Sequence, residues 1–263
     1  MATEIHKTAV VDKGANIGDN VYIGPYVVIE RDVEIGDGCR IEPFAHIKRF
    51  TKMGKNNHIH SYACIGGPPQ DLKFKGEESY LIIGNDNCIR EYVTLNRGTE
   101  HGGGVTKIGS RCLIMAYAHV AHDCILGDEV IMANAASLAG HVIIEEGAVV
   151  GGLSGVHQFV RIGKYAYIGG MTGVAQDVPP YSLVAGERGS LYGLNLIGLK
   201  RRGFSKEDIM KLKKAYRILW REELKKEEAI EKIISELGNC DKVMDLINFV
   251  KNSKRGIVPS KKK

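Results

Sequence analysis

An aliphatic residue recurs at every sixth position along most of this 263-residue chain. The first run reads Ile5, Val11, Ile17, Ile23, Ile29, Ile35, Ile41, Ile47, Met53, Ile59 and Ile65. A short run follows at Ile83, Ile89 and Leu95, and a long one extends from Ile108 through Val120, Leu138 and Val156 to Val174. No charged residue occupies the phase. The next position is often glycine (Gly18, Gly36, Gly109, Gly127, Gly163), and the fourth is small or β-branched (Val21, Cys39, Ala118, Cys124, Ala136). The period is too short for helical solenoid repeats and has no heptad component. It fits a parallel β-helix in which each hexad supplies a short strand and a turn. Three hexads, about 18 residues, close a triangular coil. With strands about 4.8 Å apart, about nine coils make a prism on the order of 40 Å long.

Two segments break the pattern. Gly66-Gly67-Pro68-Pro69-Gln70-Asp71 and the residues to about 78 carry prolines that a parallel ladder excludes, so they should leave the prism. A second excursion, near 97–106, contains Arg97-Gly98-Thr99-Glu100-His101-Gly102-Gly103-Gly104 and shifts the phase by one. Insertions in solenoids commonly mark the binding face. From Ser205 the period becomes helical. Ser205-Lys206-Glu207-Asp208 reads as a capping box with Asp in the Glu position, followed by the stripe Ile209, Leu212, Tyr216, Leu219, Trp220. Further helices are expected over Glu227–Leu237, ended by Gly238-Asn239, and about Asp241–Val250, with Lys261-Lys262-Lys263 as a frayed tail. The division is expected at 1–188 for the β-helix and 189–263 for a small C-terminal α-helical domain.

Composition divides in the same place. Residues 189–263 carry 19 Lys and Arg against 10 Asp and Glu; the first 188 carry 17 against 21. A basic end can attract nucleic acid, an acidic protein or a phosphorylated small substrate. Six scattered cysteines with no Cys-x-x-Cys argue against a disulfide scaffold or a structural zinc site and fit a reducing cytoplasm. No apolar run reaches transmembrane length, and the first residues lack a signal-peptide pattern.

His6, His46, His58, His60 and His101 read as ordinary or unassigned histidines. The other four fall in one zone: Ala118-His119-Val120-Ala121-His122-Asp123, Ala139-Gly140-His141 and Val156-His157-Gln158. His122, Gly140 and Gln158 each stand two places after an in-phase aliphatic, so they should stack on adjacent coils. Surface histidines without a task, a metal site of His119, His122 and His141, a scaffolding prism with hydrogen-bonded histidines, and metal-free acyl transfer all remain open on spacing alone.

These stretches, with Pro69-Gln70-Asp71-Leu72-Lys73, Asn96-Arg97-Gly98-Thr99, Gly173-Val174-Ala175-Gln176-Asp177-Val178-Pro179-Pro180-Tyr181 and Gly198-Leu199-Lys200-Arg201-Arg202-Gly203-Phe204, closely resemble the bacterial UDP-N-acetylglucosamine O-acyltransferases. The resemblance covers essentially the whole chain. It implies a left-handed parallel β-helix of hexapeptide repeats, assembled as a homotrimer with sites between subunits. It also implies a cytoplasmic enzyme that moves a 3-hydroxyacyl chain from acyl carrier protein to the sugar 3-hydroxyl of UDP-N-acetylglucosamine, the first step of lipid A synthesis. No cofactor or metal is expected, because the phosphopantetheine arrives on the carrier; neither nucleic acid nor membrane insertion is expected. By resemblance His122 is the base, Asp123 its support and Gly140 the oxyanion donor. Asp71, Lys73, His119, His141, His157 and Gln158 match substrate contacts, and Asn195, Arg201 and Arg202 match positions near the nucleotide and phosphates. Gly170 and Arg188 match the acyl-chain ruler, with Arg188 standing where the family can have histidine. Asp71 is expected to meet His122 from a neighbouring subunit, and Lys211, Lys213 and Lys214 to meet the acidic carrier.

Overall fold

The computed structural model describes residues 2–238 and 240–261. Its strands, mostly two residues long, form three faces of eleven, nine and eight strands among the described residues, parallel except for the last strand of the first face, in a left-handed β-helix. The chain visits the faces in turn. Face one includes Tyr22–Ile23 and Tyr167–Ile168, face two His119–Val120, Ser137–Leu138 and Gly155–Val156, and face three Ile125–Leu126 and Arg161–Ile162. Residues 18 apart pair directly, as Ser137 with Gly155 and Leu138 with Val156.

The in-phase aliphatics fill the bore. Ile23, Ile41, Ile59, Ile89, Ile114, Val120 and Ile168 are fully buried. Burying each such side chain contributes about 1.5–3 kcal/mol, which two-residue strands could not supply by hydrogen bonding alone. From Asn20 onward most turns place one residue in the left-handed region even when it is not glycine. Along the corner between faces two and three these are Asp123, His141 and Phe159 (φ 60, 62 and 64°). At the corner between faces one and two, Tyr26, Phe44, Tyr62, Tyr92 and Tyr117 stack in a ladder with centroids 4.9–5.2 Å apart.

The interior is not wholly apolar. Asn57 occupies the corner position that is Cys39 one coil earlier. Its Nδ2 donates to Gly54 O and Gly84 O, at 2.9 and 2.8 Å, and its Oδ1 accepts from Asn87 N and Nδ2. Asn87 Oδ1 accepts in turn from Cys112 N at 2.8 Å. This polar ladder joins the coils on either side of both excursions.

The prism ends at Ser182–Ala185, which pairs in parallel with Tyr167–Ile168 and antiparallel with Ser190–Leu194. Among the described residues four α-helices follow: α1 (Leu196–Arg201), α2 (Lys206–Arg221), α3 (Lys226–Leu237) and α4 (Asp241–Asn252). The sequence pattern did not mark α1, which is short, contains Gly198 and is capped by the Asn195 side chain. Ser205 caps α2 by accepting from Asp208 N, as its sequence indicates. The final segment returns to the prism: Val258 N donates to Asp177 O and Lys261 N to Leu191 O, so the expected fraying does not include Lys261. Asn239, Lys262 and Lys263, also named in that expectation, lie outside the described residues. Among the described residues no helix is long and apolar enough to cross a membrane.

Replacing Asn57 with Ala strands two carbonyls and the Asn87 amide inside the prism. The expected loss is about 2–4 kcal/mol by equilibrium denaturation; a loss below about 0.5 kcal/mol would show that the ladder is not structural.

Candidate active site

The corner between faces two and three gathers most of the chemistry. His122 and Asp123 form the turn between His119–Val120 and Ile125–Leu126. His122 Nδ1 lies 2.7 Å from Asp123 Oδ2, and the Asp123 side chain is 1% exposed. A buried carboxylate needs donors. Thr99 supplies two, its backbone N–H to Oδ1 at 2.8 Å and its hydroxyl to Oδ2 at 2.6 Å. With Oδ2 accepting from Nδ1–H, the proton sits on Nδ1 and leaves His122 Nε2 as the acceptor.

Gly140 stands one coil below His122. A Cβ there would sit 2.5 Å from His122 Cε1 and 2.8 Å from Nε2, so only glycine lets this backbone underlie the ring. Among the described residues no backbone carbonyl accepts from the Gly140 N–H. His141, the next residue, stacks on Phe159 at 4.5 Å and meets His122 edge-on at 5.2 Å. Its desolvation, opposed by the Asp123 charge, holds it below the ordinary histidine value. His119, buried more deeply and bonded to Thr94 Oγ1 at 2.7 Å, is lowered mainly by desolvation and further by His122. Neutral imidazoles therefore surround His122 at neutral pH.

The excursions close over this corner. Their roots hold each other: Asn96 Nδ2 donates to Pro68 O at 3.0 Å, Arg97 N to Gly67 O at 2.9 Å, and the Arg97 guanidinium lies over Phe50 and Phe74. Asp71 Oδ2 is 3.2 Å from His101 Nε2. Its carboxyl is held below the usual range chiefly by the Lys73 backbone N–H, with His101 and His122 of the same chain adding to the effect. This corrects the expectation that Asp71 meets His122 from a neighbouring subunit: the first excursion folds back beside its own coil. It also gives His101, left ordinary or unassigned by its spacing, a place beside Asp71. Thr99, His101 and Gly102 were missed as site residues; a Cβ on Gly102 would sit 2.1 Å from Asp123 Cγ. The Gly-rich run was visible, but a loop's return to the prism leaves no periodic trace.

A groove of about 1040 Å³ runs from His119 and His122 along face two to Arg188 and Val258. Ser137, Gly155 and Gly173 floor it, and their small side chains make the room. His157 and Gln158 line its side, and Gln70 of the first excursion reaches its rim. Lys73 lies apart from this groove, in a smaller pocket with His101 and Glu100. Gly170 does not line the groove either; it sits at the corner between faces one and two, beside Gly152.

The remaining expected residues lie on a third corner, between faces three and one. Arg202 Nη1 is 2.7 Å from Glu129 Oε2, and its guanidinium covers Tyr165 at 5.0 Å. The Asn195 side chain accepts from Gly198 N and donates to Tyr165 O. Arg201 is exposed. Within one chain the fold therefore does not bring Asn195, Arg201 and Arg202 to His122. Of the three lysines expected to meet a carrier, Lys211 pairs with Glu207 at 2.7 Å and Lys214 with Glu236 at 2.8 Å.

His122, Asp123 and His141 also offer ligand atoms within 4.8 Å of one another, a spacing compatible with a metal ion.

Residues 177–258 match the family described as UDP-N-acetylglucosamine O-acyltransferase, domain 2; residues 14–49, 32–67 and 106–140 match the bacterial transferase hexapeptide family. The acyl-acyl-carrier-protein–UDP-N-acetylglucosamine O-acyltransferase of Thermodesulfovibrio yellowstonii is 52% identical, covering 97% of this chain and 98% of that protein. The enzyme of the same name from Aliarcobacter butzleri is 54% identical, with 96% and 97% covered. Among solved structures, LpxA from Acinetobacter baumannii superposes with a TM-score of 0.93 at 44% identity, covering 97% of this chain and 99% of that one. LpxA of Bacteroides fragilis, a UDP-N-acetylglucosamine acyltransferase, gives 0.94 at 41% identity, with the same coverage.

Gly140→Ala tests the packing beneath His122. The variant is expected to fold, with its thermal midpoint lowered by less than about 8 °C, while a crystal structure shows the imidazole swung away from Asp123. An undisturbed His122–Asp123 hydrogen bond would contradict the close-packing argument.

Proposed function

The chain belongs to the UDP-N-acetylglucosamine O-acyltransferase family and is an acyltransferase; from that premise we propose that it moves a 3-hydroxyacyl group from acyl carrier protein to the sugar 3-hydroxyl of UDP-N-acetylglucosamine, opening lipid A synthesis. The observation that carries this reading is the His122–Asp123 pair at 2.7 Å, held by Thr99 and set above the Gly140 backbone at the head of the groove.

His122 Nε2 takes the proton of the sugar hydroxyl as its oxygen attacks the thioester carbonyl. The C–O bond forms and the carbonyl π pair moves to oxygen, where the Gly140 N–H stabilises the charge. Collapse breaks the C–S bond, and the imidazolium returns its proton to the departing sulfur, leaving an ester and a free phosphopantetheine thiol. Asp123 keeps His122 in the productive tautomer and offsets its transient charge. No enzyme thiol needs to enter. Cys124, the nearest cysteine in sequence, is fully buried, and burial pushes its thiol up to about 12.

The groove along face two takes the acyl chain. From His119 to Gly173 it crosses three coil steps, about 14 Å, and Arg188 stands at its far end. Gly170, at the neighbouring corner, acts as a ruler where a second chain closes over the groove. Arg201 and Arg202, with Asn195, receive the nucleotide diphosphate. Because they occupy a different corner of the prism from His122, a complete site takes its base from one chain and its arginines from the next. A homotrimer closes three such sites by symmetry.

Replacing His122 with Ala is expected to lower kcat by about 10²–10⁴ while binding of UDP-N-acetylglucosamine, followed calorimetrically, stays within about threefold. Near-normal turnover would overturn the assignment of the base.

A further inference from the structure

A second histidine cluster lies on face one, away from the catalytic corner. His58 and His60 flank the inward Ile59 on the strand His58–Ile59 and its turn, so both imidazoles project outward; their centroids are 4.0 Å apart. Across the first excursion, the next strand of this face is Cys88–Ile89, and Cys88 is the direct register partner of His58. Its sulfur is 3.6 Å from His60 Nε2.

That separation has chemical meaning. A zinc ion bonds thiolate sulfur at about 2.3 Å and imidazole nitrogen at about 2.0–2.1 Å, so a tetrahedral angle places the two ligand atoms about 3.6 Å apart. The other ring nitrogens are already committed. His60 Nδ1 faces Glu91 Oε1 at 3.4 Å, and His58 Nε2 faces Glu42 Oε1 at 3.0 Å. Arg90 and Arg40 pair with these carboxylates and hold them. A carboxylate on the outer nitrogen fixes the tautomer and turns the other nitrogen into a metal ligand, the usual support of zinc-bound histidine.

We propose that His60 Nε2, Cys88 Sγ and His58 Nδ1 form a site for a borderline-soft divalent cation, Zn²⁺ foremost, outside the catalytic centre. His58 turns from its stacked position to complete the set, and water takes the fourth place. Binding forms the metal–sulfur bond and releases the Cys88 thiol proton to solvent. On face one, the ion ties the coil that precedes the first excursion to the coil that follows it.

Cobalt(II) titration of the chelator-treated full-length protein tests this, because a thiolate ligand gives a near-ultraviolet charge-transfer band that a histidine–carboxylate site does not. The wild type should develop the band at one Co²⁺ per chain and lose it on adding Zn²⁺. Cys88→Ser and His60→Gln should abolish the band, and His58→Gln should weaken Co²⁺ binding at least about tenfold. Cys64→Ser and His122→Ala should keep it. Zinc should raise the melting temperature of the wild type and not of Cys88→Ser, since only binding to the folded state stabilises. Absence of the band in the wild type, its survival in Cys88→Ser, or its loss in His122→Ala would overturn the proposal.

Discussion

Residues eighteen apart in this prism occupy the same turn one coil further on, because three six-residue sides close each coil. The bore admits one aliphatic side chain per side, and this constraint governs the outside as well as the inside. Each corner becomes a column whose members share a backbone conformation and differ only in side chain. One column is the aromatic ladder from Tyr26 to Tyr117. A second carries Asp123, His141 and Phe159, beside His122 and Gly140. The third presents Glu129, Gly147 and Tyr165, on which Arg202 rests. Left-handed turns disfavour most non-glycine residues by about 1–2 kcal/mol. Here the stacked coils hold the conformation, and the corners are free to carry chemistry.

The excursions supply what a repeating prism cannot. A column repeats one geometry, whereas a catalytic histidine needs a buried carboxylate on one nitrogen and open space on the other. Thr99 brings two donors to Asp123 from outside the repeat, and Gly102 leaves room for the carboxylate. Asn96 and Arg97 lock the root of the second loop to the root of the first, so the Asp71–His101 pair and the Thr99–Asp123 contacts are positioned together.

The hexad period made the prism, its coil length and the stacking of His122 over Gly140 legible, since each follows from counting in steps of six. The helical stripe from Ile209 to Trp220 was legible for the same reason at another period. Thr99 and His101 were not, because loop closure depends on long-range packing that spacing does not encode. The place of Asp71 was misread for that reason. Asn57 and Asn87 were also hidden: they occupy positions where the repeat calls for small apolar residues, and only their mutual hydrogen bonds explain why polar side chains are stable there.

The proposed site takes residues from two corners of two different chains. Subunit mixing addresses that directly. His122→Ala chains and Arg202→Ala chains, each inactive alone, are denatured together in equal amounts, refolded and assayed. If His122 and Arg202 act from different chains, random trimers regain a complete site at about a quarter of positions, and acyltransferase activity returns to about a quarter of the wild-type value. If the mixture stays as inactive as its components, both residues serve one chain's site, and the proposed assembly is wrong.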